Sequence, residues 1–217
     1  MPPAPRLSPA AQRLCSRAAF TLVELLAVIT VIGILVTITV GLTRGVSERS
    51  KIAQAKADLA VLAAALEQYK LQYGDYPWVE KAGYGEPYDE NFTNQKILFQ
   101  ALIGRAGPKD PFPAGEEKRS FVQLSRFHLR IEDPDAPEYL TNNYFAGPWD
   151  RESDGVPYPY SYYYKKIGPE TIWEAPSFLL FSHGPDGRCI YDANLAKGFV
   201  THGVAENADN LYAGRDT

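Results

Sequence analysis

Cysteine is scarce in this 217-residue chain: only Cys15 and Cys189 are present, and they lie on opposite sides of a long apolar run. The two thiols cannot meet while that run spans a membrane, and they neither require nor exclude an oxidising compartment. The length is enough for one moderate domain with its own core, so disulfide or metal staples are not needed. No cluster of Lys and Arg could follow a phosphate backbone, and with a net charge of −4 the composition predicts no nucleic-acid partner. Catalytic signatures are missing as well. There is no Gly-x-Ser-x-Gly, no phosphate-cradling glycine loop and no His-Glu-x-x-His, and His128, His183 and His202 are scattered without metal-ligand spacing. The reading is therefore not an enzyme. Proline is absent between Phe20 and Tyr76, which leaves that whole stretch free to be helical.

What is present is unevenly distributed. Residues 1–19 carry Arg6, Arg13 and Arg17 and no acid; without them the chain holds 19 basic against 26 acidic residues, a net of −7. From Phe20 to Leu42 the chain reads FTLVELLAVITVIGILVTITVGL, 23 residues with one ionisable side chain, Glu24. The length suits a membrane span of about 20 residues, and a basic segment before it predicts a cytoplasmic N-terminus. The run is too long for a secretory signal core, and no Ala-x-Ala site follows it. An acid this deep in apolar sequence costs on the order of 2.5–3.5 kcal/mol, so it calls for a partner. Nothing basic lies within the run. The partner must be another chain, a newly created amine or a proton.

Ala19-Phe20-Thr21-Leu22-Val23-Glu24-Leu25-Leu26, followed by Val31-Ile32-Gly33-Ile34-Leu35, closely resembles the leader junction of type IV prepilins and type II secretion pseudopilins. The resemblance implies that prepilin peptidase cuts between Ala19 and Phe20 on the cytoplasmic side and methylates the new amine of Phe20. It also implies that Glu24 pairs with a neighbouring subunit's N-terminal amine during assembly. Two departures are visible. Ala19 stands where the family usually has Gly, which implies slower processing, and Gly41 stands where many pilins have a helix-loosening Pro.

Beyond the apolar run the pattern becomes striped. Ile52, Ala55, Leu59, Leu62, Leu66, Tyr69 and Tyr73 recur at spacings of three and four, with Lys51, Lys56, Asp58, Glu67 and Lys70 off the stripe. A single helix of about 54 residues, about 80 Å long, is allowed, with Gly74-Asp75-Tyr76-Pro77 ending it. The stripe predicts one face packed on a sheet. Thr93 or Asn94 can cap a short helix through Ile103, with Ile97, Leu98, Ala101 and Leu102 inward. Strands are expected over Ser120–Ile131, Tyr158–Ile167 and Ser177–Ser182, the last being buried and central. Tyr158, Tyr160, Tyr162 and Tyr164 alternate and so belong to one face of a strand. That row reads as packing, with a sugar-binding platform as the alternative.

The resemblance continues more weakly downstream. Gly147-Pro148-Trp149-Asp150 with Gly155-Val156-Pro157-Tyr158 is similar to the Asp-Pro-Trp-Gly-x-Pro-Tyr segment of major pseudopilins. Phe181-Ser182-His183-Gly184-Pro185-Asp186-Gly187 is similar to their Ser-x-Gly-Ala-Asp-Gly turn, and Glu206-Asn207-Ala208-Asp209-Asn210 to their Asn-Ala-Asp run. In that family the region is a calcium-binding loop, which implies calcium as a cofactor here. Asp186 carries over directly. The second carboxylate is either Asp192, closer in spacing, or Asp209, closer in local sequence. The segment 194–205 has no counterpart.

The expectation is an α+β pilin fold, a long N-terminal helix packed on a small antiparallel sheet with a loop-rich C-terminal region. Its parts are a cleavable leader (1–19), an apolar helix segment that spans the membrane or fills a filament core (20–42), an amphipathic continuation (43–74) and a periplasmic domain (75–217). The function implied is a structural subunit of a type II secretion filament. Its partners would be prepilin peptidase, identical and related pseudopilins, and an inner-membrane assembly platform. The chain would cross the inner membrane once, with its C-terminal domain in the periplasm. Two alternatives stand beside this reading: a type IV pilus subunit, and a membrane-anchored extracytoplasmic binding domain or enzyme.

Overall fold

Unbroken helical propensity carries the first element far past the apolar run. In a computed structural model, α1 extends over Leu22–Tyr73. The structure describes residues 21–79, 93–113, 115–130, 143–150, 155–165, 173–190, 193–200 and 205–213, apart from the side chains of 38–45, 193 and 206. The chain divides into two compact units, Met1–Gly45 and Val46–Thr217, and α1 contributes to both. In the first unit Leu22, Leu25, Ile29, Ile32 and Val36 are all more than half exposed. Among the described residues no helix is long and apolar enough to cross a membrane; Phe20 and the side chains of 38–42, the rest of the apolar run, lie outside them.

In the second unit the stripe behaves as its spacing predicts. Ala55, Leu59, Leu62, Leu66 and Tyr69 are buried, and Ile52 and Tyr73 are partly buried against the same core. Asp58 departs from the expectation. It is 5% exposed, and the Tyr160 hydroxyl donates to its Oδ2 at 2.9 Å. A buried carboxylate needs such a donor, and only the tertiary fold brings one from 102 residues away. Gly74 then closes the helix: its amide donates to the Lys70 carbonyl at 2.7 Å. Asp75 follows, accepting from the Tyr76 amide (2.9 Å), Trp78 Nε1 (3.1 Å) and the Tyr164 hydroxyl (2.7 Å), with Lys165 Nζ at 3.5 Å. Burial alone would raise this carboxyl, but those donors hold it below its ordinary pKa.

The short helix α2 covers Thr93–Leu102 and buries Leu98, Phe99, Ala101 and Leu102; Phe99, not Ile97, faces the core. The predicted strand over Ser120–Ile131 shrinks to a 3₁₀ turn at Leu124–Arg126 and strand β1 at His128–Arg130. Strand β2 at Tyr144–Asp150, the longest among the described residues, was not among the expected strands; Gly147 and Pro148 are both poor residues for a strand interior. It pairs with β1 and with β3 (Pro157–Pro159), both antiparallel.

The expected single strand over Tyr158–Ile167 is broken at Tyr160, and residues 166 and 167 lie outside the described ones. Tyr160 donates its amide to the Phe145 carbonyl on β2, whereas Ser161 opens β4 (Ser161–Tyr163) and pairs with Phe181. The chain changes sheets between these two residues. The small sheet of the expectation is therefore two three-stranded antiparallel sheets, β1-β2-β3 and β4-β5-β6. Their last strands are β5 (Leu179–Ser182), central and fully buried as predicted, and β6 (Leu211–Tyr212). The coarse architecture, α+β with antiparallel sheets, agrees with the pilin expectation.

The tyrosine row survives the break. Tyr160, Tyr162 and Tyr164 enter the main core, and Tyr158 packs on it. Their hydroxyls reach inward to Asp58, the Pro77 carbonyl and Asp75. Buried rings with satisfied hydroxyls cannot present a platform to sugars, so the packing reading stands.

Candidate functional site

Two regions hold the residues singled out by sequence. At the first, Ala19 and Phe20 lie outside the described residues, whereas Glu24 is exposed in the first turn of α1. Thr21 precedes the helix, and Glu24 follows it by three. Glu24 Oε2 accepts from the Thr21 amide (2.9 Å) and the Thr21 hydroxyl (2.9 Å), while Thr21 Oγ1 accepts from the Glu24 amide (3.2 Å). This is a capping box, spelled Thr-x-x-Glu in the sequence and missed there because the acid was read only as a charge in an apolar run. Glu24 thus has a local partner in addition to any supplied by another chain. The box fixes the carboxylate at the helix start, where the dipole favours negative charge, and leaves it open to solvent.

The second region is the turn after β5. Asp186 and Asp209, 23 residues apart, are brought together: the Asp186 amide donates to Asp209 Oδ2 at 3.1 Å. Asp192 lies outside the described residues, so of the two expected second carboxylates only Asp209 can be located beside Asp186. The Arg188 amide in turn donates to Asp186 Oδ1 at 2.8 Å. Burial raises the Asp209 carboxyl; the Asp186 amide opposes that, and the neighbouring Asp186 charge adds to it. Asp209 Oδ1 is buried with no hydrogen-bond partner. Among the described residues no group of three or more His, Cys, Asp or Glu is assembled. Two carboxylates, one with an orphan oxygen, in a loop rich in backbone carbonyls, fit a hard oxygen-seeking cation such as calcium and not zinc. A buried oxygen without a donor is the kind of group that a cation would satisfy.

His183 lies beneath this turn. Its ring is 5.4 Å from Phe181 and 5.8 Å from Tyr158, and its Nε2 is 3.1 Å from Ser161 Oγ. Burial lowers its pKa to about 4, against the upward pull of Asp186. The unfolded chain, with an ordinary histidine near 6.5, therefore takes up the proton first as pH falls. The contribution of neutral His183 is complete above about pH 6.5 and is lost on the way down to about pH 4, about 3 kcal/mol in all. Asp58, raised by burial, acts in the opposite sense at the acid end. Urea unfolding of His183→Gln beside the unaltered chain isolates the histidine: the variant's stability should fall less between pH 6.5 and 4. Parallel curves would rule out this assignment.

A capped acid opening a long helix whose first turns expose apolar side chains, followed by an α+β domain, defines a prepilin-like filament subunit. Comparison with known proteins agrees. Residues 14–40 match the prokaryotic N-terminal methylation motif, and residues 44–116 match type II secretion system protein G. The type II secretion system core protein G of Pseudomonas aeruginosa is 30% identical over 117 residues, covering 45% of this chain and 82% of that protein. The corresponding protein of Klebsiella pneumoniae is 30% identical over 138 residues, covering 60% of this chain and 92% of that protein. No solved structure matches significantly. The chain belongs to the type II secretion system protein G family, whose members are structural pseudopilins and not enzymes.

Proposed function

We propose that this chain works as a structural subunit of a type II secretion pseudopilus and reaches it by prepilin processing. Prepilin peptidase cuts between Ala19 and Phe20 on the cytoplasmic side and methylates Phe20. The apolar segment crosses the inner membrane once before assembly, with the C-terminal domain in the periplasm. An assembly platform in that membrane then passes it into a filament of identical and related pseudopilins. The observation that carries this reading is the first turn of α1: Glu24 is exposed and held by Thr21, among the uniformly exposed Leu22, Val23, Leu25 and Leu26. In water such a helix face would be unstable, whereas in lipid or among like helices it is buried. A neighbour's N-terminal amine would give the carboxylate the cation that this stretch of chain lacks. Mass spectrometry of the membrane-extracted chain tests the reading. The expected N-terminus is a monomethylated Phe20, and a chain that still begins at Met1 in assembled filaments would refute it.

Calcium is part of the same reading. Asp186 and Asp209 supply the carboxylates of a site in the turn after β5, completed by backbone carbonyls. A cation held only by the folded chain stabilises it by about 2.7 kcal/mol at a hundred times its dissociation constant. Melting of the full chain in detergent should therefore rise with calcium and fall back with chelator, with magnesium a poor substitute. An unchanged melting temperature would argue against the site.

A further inference from the structure

Two buried asparagines explain how the Asp186 and Asp209 segments come to lie side by side. Asp186 and Asp209 belong to different segments, and like charges at close range repel, so something must hold the segments in place without a metal. Asn207 is 7% exposed and Asn210 fully buried. The Asn207 carboxamide grips Ile190 at two points: its Oδ1 accepts from the Ile190 amide at 2.8 Å, and its Nδ2 faces the Ile190 carbonyl at 3.4 Å. Asn210, with its NH₂ turned toward the loop, donates to the carbonyls of His183 (3.0 Å) and Arg188 (3.1 Å). The opposite amide orientation would offer only a 3.4 Å contact with Asn207 Oδ1, so the two shorter bonds decide it. The loop is thus fastened at its start (His183), its far side (Arg188) and its exit (Ile190). Between these fastenings lies the bond from the Asp186 amide to Asp209. A buried carboxamide is costly unless its donors are satisfied in one geometry, and that cost makes it a specifier of register.

We propose that Asn207 and Asn210 are the positioning residues of the cation turn: they latch residues 205–210 onto residues 183–190, so that Asp186 and Asp209 are assembled before a cation arrives. The proposal rests on the calcium reading above. The bland alternative is that both are ordinary satisfied core amides with no bearing on the site.

The test uses the full chain in detergent, with calcium chloride as the probe. Calcium affinity is measured by calorimetry, and exchange of the Ile190 amide is measured by hydrogen exchange in chelator. Asn210→Ala and Asn207→Ala should each weaken calcium binding 10-fold or more, the usual scale for residues that orient ligands. Asn207→Ala should also speed Ile190 exchange at least tenfold with no metal present. Asn207→Asp keeps the acceptor and should restore that protection. If Asn210→Ala fails to fold, Asn207→Ala, nearer the surface, still decides. Binding within twofold of the unaltered chain in a folded alanine variant overturns the latch and leaves the calcium reading intact. Absence of binding by the unaltered chain overturns both.

Discussion

Glu24→Ala is expected to give a chain that is processed normally and keeps its folded domain but no longer assembles into filaments. The magnitudes separate these effects. The substitution removes a capping box at the start of α1, worth about 1 kcal/mol. The buried core that carries the second unit begins at Ala55, 31 residues further along, and does not depend on that cap. Folding of the domain is thus insulated. Assembly is not, because the carboxylate is the one ionisable group between Phe20 and Leu42, and pairing it with an amine in an apolar surrounding is worth far more than the same pair in water. Glu24→Gln sharpens the prediction. Glutamine at this position still accepts from the Thr21 amide and so preserves the cap, but it carries no charge. Electron microscopy and cross-linking should find filaments missing from both variants. Normal filaments from Glu24→Gln would assign Glu24 to capping and remove it from assembly.

Gly184→Ala is expected to destabilise the C-terminal region strongly. Gly184 has φ +70, where a side chain costs about 1–2 kcal/mol. An added Cβ would also overlap the carbonyl oxygen of Asp209 and lie 2.9 Å from its carbonyl carbon. Those are backbone atoms, so relief requires the 205–210 segment to back away from the turn, separating Asp209 from Asp186. Conformational strain and overpacking together come to about 3 kcal/mol. Gly74→Ala is the control. Its φ is +87, but an added Cβ meets nothing within 4 Å, so only the conformational cost of about 1 kcal/mol applies. Urea unfolding should therefore show a markedly larger loss for Gly184→Ala, accompanied by loss of the calcium-dependent rise in melting temperature. Equal losses at the two positions would mean that the turn and the C-terminal segment do not need their close approach.

The parts of this protein that the sequence determined by itself are those governed by local spacing. A proline-free stretch with a 3–4 periodic stripe can only be a long helix with one buried face, and α1 buries Ala55, Leu59, Leu62, Leu66 and Tyr69 accordingly. The short apolar run around Leu179–Ser182 could be recognised as a central strand because a strand paired on both edges and covered on both faces needs no alternation. The leader junction is likewise a contiguous pattern and needs no fold to be read. What only the tertiary structure decided depends on contacts between residues far apart in the chain. β2 contains Gly147 and Pro148 and forms because β1 and β3 flank it, overriding local turn chemistry. Asp58 looked like a solvated charge until Tyr160, from the crossing between β3 and β4, arrived to satisfy it. The approach of Asp209 to the Asp186 amide likewise needs the pairing of β6 on β5, because spacing along the chain says nothing about which loops meet.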